Sequence, residues 1–340
     1  MKNVEFDIAI VGAGCIGSSI GYEIARRGYR NSVIIDNGRK HLSATASSGG
    51  MLRVFHENIE HLQLALNNFA LLKKYQDRGL IQEKNQPNGH LYFFNSRRFP
   101  HYAANFQKME SAGYAFEILT SSTGRTKFPQ FHWNDDEWAV YEPLGTHLSP
   151  TGFSNDLLSA SQKSGLTILD NFEVDRICHF RGQYKIFSQT SGIMAKTVIL
   201  AGGARLLPYI TNLGIAHSLK SQRLTVYQAE KKNEFLILPN YFDRETLDFA
   251  RLGPGRHLIL GQPESKRIKE KYWTGEFTKI SAEDCYSPNR MGYAGFLMGQ
   301  PRMMIATGWG GTAFKFSLEI GQRIGRALEN GQNERSLLHA

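Results

Sequence analysis

The stretch Gly12-Ala13-Gly14-Cys15-Ile16-Gly17 limits what this chain can fold into more than any other feature. It follows an apolar run of buried-strand length, Phe6-Asp7-Ile8-Ala9-Ile10-Val11, and opens a helix-like pattern from Ile16 to Arg27 with Gly28 placed to end it. Gly12 permits a tight turn, Gly14 lets backbone approach a pyrophosphate, and Gly17 lets helix and strand pack closely. The helix start at Cys15 and Ile16 offers free N–H groups and positive potential to that pyrophosphate. Ser32-Val33-Ile34-Ile35 reads as a second strand ending at Asp36, where a carboxylate can take ribose hydroxyls. Together these predict a β-α-β dinucleotide-binding unit. The competing reading is a glycine-rich turn with no ligand.

The chain has 340 residues, enough for two domains or one large one. Its 41% hydrophobic and 21% charged content excludes disorder as the main state. The formal net charge is +9, but Lys and Arg are scattered without a dense basic run. That reads as a solvated surface rather than a nucleic-acid interface. The three cysteines, Cys15, Cys178 and Cys285, cannot all pair and show no Cys-x-x-Cys spacing. Neither a disulfide framework nor a metal site is expected. The N-terminus lacks a signal-peptide profile, and no apolar run approaches the ~20 residues of a membrane helix. The expectation is a soluble cytoplasmic protein.

The fold class expected is α/β, with a Rossmann-like dinucleotide domain interleaved with a smaller strand-rich domain. Asn58 can cap a helix running to about Gln76, with Leu62, Leu66 and Phe69 on one face. Residues 81–145 mix short strands such as Leu91-Tyr92-Phe93-Phe94 with prolines (Pro87, Pro100, Pro129, Pro143). A helix from Asn155 to Lys163 follows, then strands at 166–169, Phe172-Glu173-Val174, 184–187 and 197–200. Residues 216–284 are again strand-rich, including 224–227 and 258–260. Met303 to Ala306 reads as a strand, and Phe316, Ile320, Ile324 and Ala327 as the buried face of a last helix. The first domain is therefore assigned to 1–80, 146–215 and 285–335, and the second to 81–145 and 216–284.

The ordered set of these blocks resembles the D-amino-acid-oxidase-type FAD-dependent oxidoreductases, the family of glycine oxidase and monomeric sarcosine oxidase. The resemblance spans Asp7 to Asp36, Ser47-Ser48-Gly49-Gly50-Met51-Leu52-Arg53, Val174, Val198 to Ala204, and Ile305 through Gly321. It implies FAD as cofactor, with Gly12, Gly14, Gly17, Asp36, Ser47, Ser48, Gly50, Met51, Val174, Ala201, Gly202 and Gly203 along it. Gly308, Gly310, Gly311 and Thr312 would lie near the flavin pyrimidine end, where a glycine-rich loop feeding a helix converges N–H groups. Arg53 would lie near the flavin ring, where a guanidinium stabilises negative charge. On bare sequence these read equally as surface loops, a plain turn and a surface ion pair.

The run Phe314-Lys315-Phe316-Ser317 resembles the sarcosine oxidase branch, in which the matching lysine helps bind the substrate carboxylate. Lys315 and His56 are assigned to orient that carboxylate. His56 stands where that branch has a second arginine, and the stretch Arg256 to Gly261 lacks the branch's oxygen-promoting lysine. Asp284-Cys285-Tyr286 resembles the segment in which that branch attaches FAD through a cysteine sulfur. A buried, unreactive Cys285 is the alternative. The resemblance implies oxidation of the C–N bond of a small amino acid, N-methyl amino acid or cyclic imino acid to an imine. Hydride passes to flavin, and oxygen or another acceptor reoxidises it. A flavin enzyme for a tRNA-linked amine and a non-catalytic flavin-binding partner protein remain the rival readings.

Overall fold

The computed structural model describes residues 4–39, 42–85, 88–215, 217–231, 238–252, 257–263, 265–269 and 273–331. Pro87 and Arg256 lie outside the described residues. The first sheet runs Tyr293–Phe296, Met303–Thr307, Gly192–Leu200, Val4–Val11, Ser32–Ile35 and Thr167–Leu169, with Gln183–Phe187 and Arg176–Phe180 added beside Gly192–Leu200. Val4–Val11 is parallel to both neighbours, in registers such as Ile10 to Ile199 and Ile10 to Ile34. Strands buried on both faces read as continuous apolar runs. This is why Ile8 to Val11 and Ser32 to Ile35 are legible without alternation.

Two apolar layers cover that sheet. Ile8, Ile10, Ile34 and Ile199 face the helices Cys15–Arg26, Pro150–Lys163 and Ser317–Asn330 through Ile20, Ile24, Leu157, Ile320 and Ile324. Ala9, Val11, Val33, Ile35, Val198 and Leu200 face the other way, toward Tyr184, Leu206 and Ile210. Each fully buried aliphatic side chain contributes about 1.5–3 kcal/mol.

The second sheet runs Trp273–Tyr286, Lys220–Lys231, His257–Leu260, Phe249–Leu252, Asn240–Asp243, His90–Asn95, Glu137–Glu142 and Glu117–Leu119. Its pairings are antiparallel except at the centre, where Asn240–Asp243 lies parallel to His90–Asn95. That parallel junction splices two stretches of chain far apart in sequence.

Several elements differ from expectation. The helix expected from Asn155 begins at Pro150, because Ser149 caps it by accepting from Gly152 N at 3.1 Å and Pro150 fits the first turn. Phe172-Glu173-Val174 forms no strand. Phe172 N instead donates to Asp36 O at 2.8 Å, and Phe172 and Val174 are buried beside the sheet. The loop after Gly308 feeds a 3-10 segment, Gly310–Phe316, before the helix proper starts at Ser317. Asn58 caps Ile59–Asp77 as expected, its side chain accepting from Glu60 N and His61 N.

Candidate active site

The nucleotide end is built from backbone. Gly12 has φ +106°, and a Cβ there would lie 2.7 Å from Gly202 Cα. A Cβ on Gly17 would lie 1.9 Å from Gly12 O. Both positions admit only glycine. Ala201 N donates to Val11 O at 2.9 Å, so the two glycine-rich turns meet at the carboxyl ends of adjacent parallel strands. This is the crevice where open α/β sheets bind nucleotides.

The helix N-terminus receives oxygen atoms. Ala13 N donates to Asp36 Oδ2 at 2.8 Å and Cys15 N to Thr45 Oγ1 at 3.1 Å. Thr45 is a contact that sequence reasoning missed; it lies among small residues two positions before Ser47. Ser48 Oγ accepts from Gly50 N at 3.2 Å and shapes the loop. The Cys15 thiol is pushed up to about 11 by burial, so Cys15 contributes backbone rather than chemistry. A Cβ built on Gly203 or Gly311 meets no atom within 4 Å, which leaves open space beside both turns. Amides that donate to oxygen, a terminal acid and open glycine edges fit a dinucleotide.

The substrate end is built from side chains. Met51–Leu52 pairs with Thr146–His147, and the chain then presents Arg53 and His56 on either side of Val54 and Phe55. Val54 N and Phe55 N both donate to Glu142 Oε2, at 2.7 and 3.1 Å. Glu142 is fully buried at the end of Glu137–Glu142. Burial pushes its carboxyl up, and Arg53 pulls it back most strongly. The Arg53 guanidinium lies over the Tyr92 ring at 5.2 Å, with Nη1 shielded and without a partner among the described residues. Burial lowers Arg53, and Glu142 opposes that effect. His90 Nδ1 lies 3.8 Å from Glu142 Oε1, but burial drives His90 well below its ordinary value, so this contact is not an ion pair.

Lys315 is only 7% exposed. Its Nζ reaches Gly311 O at 3.5 Å and has no carboxylate partner among the described residues. Burial drives it well below its ordinary value, reinforced by the charges of Arg53 and Arg251. Arg251 is the second residue missed by sequence reasoning. Its Nε is shielded and unpartnered among the described residues, and a Cβ on Gly49 would lie 2.2 Å from it. Burial lowers it to about 10. Arg53, Arg251 and Lys315 therefore form a largely shielded basic group, with Glu142 as the buried counter-charge on Arg53. Such a group is suited to anions.

His56 sits among these cations, its ring 5.2 Å from Phe316 and 5.9 Å from His61. Its Nδ1 is 3.0 Å from Val54 O. A carbonyl oxygen only accepts, so Nδ1 carries the proton and Nε2 a lone pair. Burial and then Arg53 keep the ring well below its ordinary value. A neutral His56 with a bare Nε2 offers an acceptor rather than a proton, a geometry different from the carboxylate-orienting role expected of it from sequence.

Cys285 is 1% exposed and packs among Val198, Leu206, Leu219 and Ile305. Burial pushes its thiol up, against a hydrogen bond with Thr307. The next residue, Tyr286, is the one at the glycine-rich loop: Gly311 N donates to its hydroxyl at 3.4 Å, and its ring would lie 2.0 Å from a Cβ on Gly310. Trp309 is buried against Gly292 with Nε1 unpartnered among the described residues. Gly308 O accepts from Ser287 N at 2.9 Å, and Thr312 Oγ1 donates to Trp309 O at 2.7 Å. Val174 O accepts from the Tyr209 hydroxyl.

Comparison with known proteins agrees with this geometry. Residues 7–275 match the family model described as DAO, FAD dependent oxidoreductase. The N-methyl-L-tryptophan oxidase of Yersinia pestis is 21% identical, covering 94% of each chain. Human mitochondrial dimethylglycine dehydrogenase is 19% identical over 63% of this chain, which spans a quarter of that protein's length. Among solved structures, L-proline dehydrogenase from P. horikoshii superposes with TM-score 0.84 at 14% identity, covering 98% of this chain and 96% of that one. Glycine oxidase from Geobacillus kaustophilus gives 0.80 at 18%, covering 98% and 97%. A helix N-terminus fed by two interlocking glycine turns, with the family model running through both sheets, has one consistent meaning: the chain belongs to the DAO family of FAD dependent oxidoreductases.

Proposed function

We propose that this enzyme oxidises the C–N bond of a small amino acid, N-methyl amino acid or cyclic imino acid to the imine, with oxygen as the final acceptor. The observation that carries the reading is Lys315, a buried amine with no carboxylate partner among the described residues, next to Arg53 and Arg251. A substrate carboxylate restores its charge and fills its hydrogen bonds. The names of the relatives fit: N-methyl-L-tryptophan, dimethylglycine, glycine and L-proline are all carboxylate-bearing amines.

FAD, when bound, supplies the two-electron acceptor for the C–H bond beside nitrogen. The chain does the rest. The turns at Gly12 to Gly17 and Ala201 to Gly203 would hold its phosphates and ribose with Asp36 and Thr45. Lys315 holds the carboxylate and so fixes which C–H bond faces the electron acceptor. Arg53, braced by Glu142 and Tyr92, places positive charge where negative charge develops. Phe316 and Trp309 help exclude water.

The apolar packing of Cys285 favours a flavin held without a thioether, so acid precipitation of the coloured protein should release the colour. Colour retained in the pellet, and lost from it in Cys285→Ser, would restore the covalent reading. Lys315→Met should lower kcat/KM about 30–100-fold for amino-acid substrates and only a few-fold for neutral amines. Equal losses for both would reject the carboxylate role. The other acceptor remains a second reading because the matched proline enzyme is a dehydrogenase; stoichiometric peroxide release decides it.

A further inference from the structure

We propose that His56 Nε2 accepts a hydrogen bond from the substrate's amine N–H, so that His56 is a catalytic residue that reads the nitrogen rather than the carboxylate. The inference rests on the amino-acid reading above and adds a division of labour to it.

Four observations meet at this ring. Nδ1 lies 3.0 Å from a carbonyl oxygen, Val54 O, which fixes the proton on Nδ1 and leaves Nε2 as an acceptor. Nε2 is shielded from solvent and has no partner among the described residues. Burial first, then the neighbouring basic groups Arg53, Lys315 and His61, disfavour a charge on this ring. Finally, Val54 and its neighbour Phe55 are pinned through their amides to the buried Glu142, so the carbonyl that orients His56 belongs to a fixed piece of backbone.

A buried lone pair without a donor is costly unless something supplies an N–H or O–H. A substrate whose carboxylate is held at Lys315 brings its nitrogen into the same cluster, because Phe316 follows Lys315 directly and its ring lies 5.2 Å from that of His56. The same cations disfavour an ammonium group, since a further positive charge would join Arg53, Arg251 and Lys315. The site therefore selects the uncharged amine, the form whose nitrogen lone pair is free to assist loss of hydride from the adjacent carbon. His56 orients that amine through its N–H.

The test uses the FAD-loaded full chain and two flat, non-oxidisable acids that differ by one donor: pyrrole-2-carboxylate, which has an N–H, and furan-2-carboxylate, which has none. Binding is read by titration calorimetry and by perturbation of the visible absorption. The wild type should prefer the pyrrole acid about tenfold. His56→Leu should erase that preference by weakening the pyrrole acid alone, and His56→Gln, which keeps an acceptor, should restore much of it. Lys315→Met should weaken both acids alike. Equal weakening of both acids by His56→Leu, or no preference in the wild type, overturns the proposal. Should His56→Leu fail to fold, the wild-type preference and the 15N shift of His56 Nε2 on adding each acid decide. A shift caused only by the pyrrole acid supports the role, and identical shifts reject it. Binding of neither acid by the wild type would overturn the amino-acid reading itself.

Discussion

Two buried basic side chains, Arg267 beside the second sheet and Lys315 just before the last helix, are treated in opposite ways. Arg267 is buried against two carboxylates. It forks onto Glu137 at 2.5 and 2.7 Å, also pairs with Asp243, and lies 4.3 Å from the Phe93 ring centre. Lys315 is buried to the same degree and has no such partner among the described residues. The first cation is finished by the protein. The second is left for something else to finish. An unpartnered basic side chain in the interior costs stability, and such groups cluster at functional sites.

The largest expected effect breaks the finished site. Arg267→Met should destabilise the protein by about 3–5 kcal/mol, because it strands Glu137 and Asp243 in the interior. Chemical denaturation measures it, and a loss under about 1 kcal/mol would mean that the triad is relaxed by water. Glu142→Leu should cost about 2–3 kcal/mol, since it orphans the amides of Val54 and Phe55, whereas Glu142→Gln keeps an acceptor and should cost roughly half as much. Equal costs would show that the charge on Arg53, rather than the amides, is what Glu142 serves.

Lys315→Met should go the other way and raise stability by about 1 kcal/mol while removing carboxylate binding. A destabilised Lys315→Met would erase the contrast with Arg267. The smallest effect is on pH. His56 and His90 sit well below the ordinary histidine value and His61 below it, all chiefly through burial. As pH falls through about 6.5 the unfolded chain takes up protons that the folded one refuses, so stability is lost toward pH 5. Asp284, pushed up to about 6 by burial, acts in the opposite sense, and Asp284→Asn should steepen the loss between pH 6 and 5. Thermal unfolding across that range reads both slopes.

The nucleotide end was legible because its information is local. A strand, three glycines, a helix and Asp36 lie within one short stretch, and each glycine has a steric reason. The candidate substrate end was legible only in part. Arg53 and Lys315 were reached through resemblance, but Glu142 acts on Val54 across 88 residues. Arg251 sits on an ordinary strand, and Thr45 hides in a run of small residues. Nothing in their own neighbourhood marks them. Phe172 and Val174 misled for the opposite reason: they are buried as a strand's residues would be, yet their segment joins no ladder. The tautomer of His56 was not legible either, because it is set by a single carbonyl, that of Val54.

The helix Cys15–Arg26 begins at the glycine turn, and Ser317–Asn330 begins just after Lys315, yet the two lie side by side, with a Cβ on Gly321 only 2.8 Å from Ser19 backbone. The backbone at Ser19 is therefore buttressed by a glycine translated long after it. Until Ser317–Asn330 has emerged from the ribosome, the nascent polypeptide holds its glycine turns without the wall that completes them. Cofactor uptake should thus await the emergence of Ser317–Asn330, and synthesis stalled before Gly321 should yield colourless, protease-sensitive product.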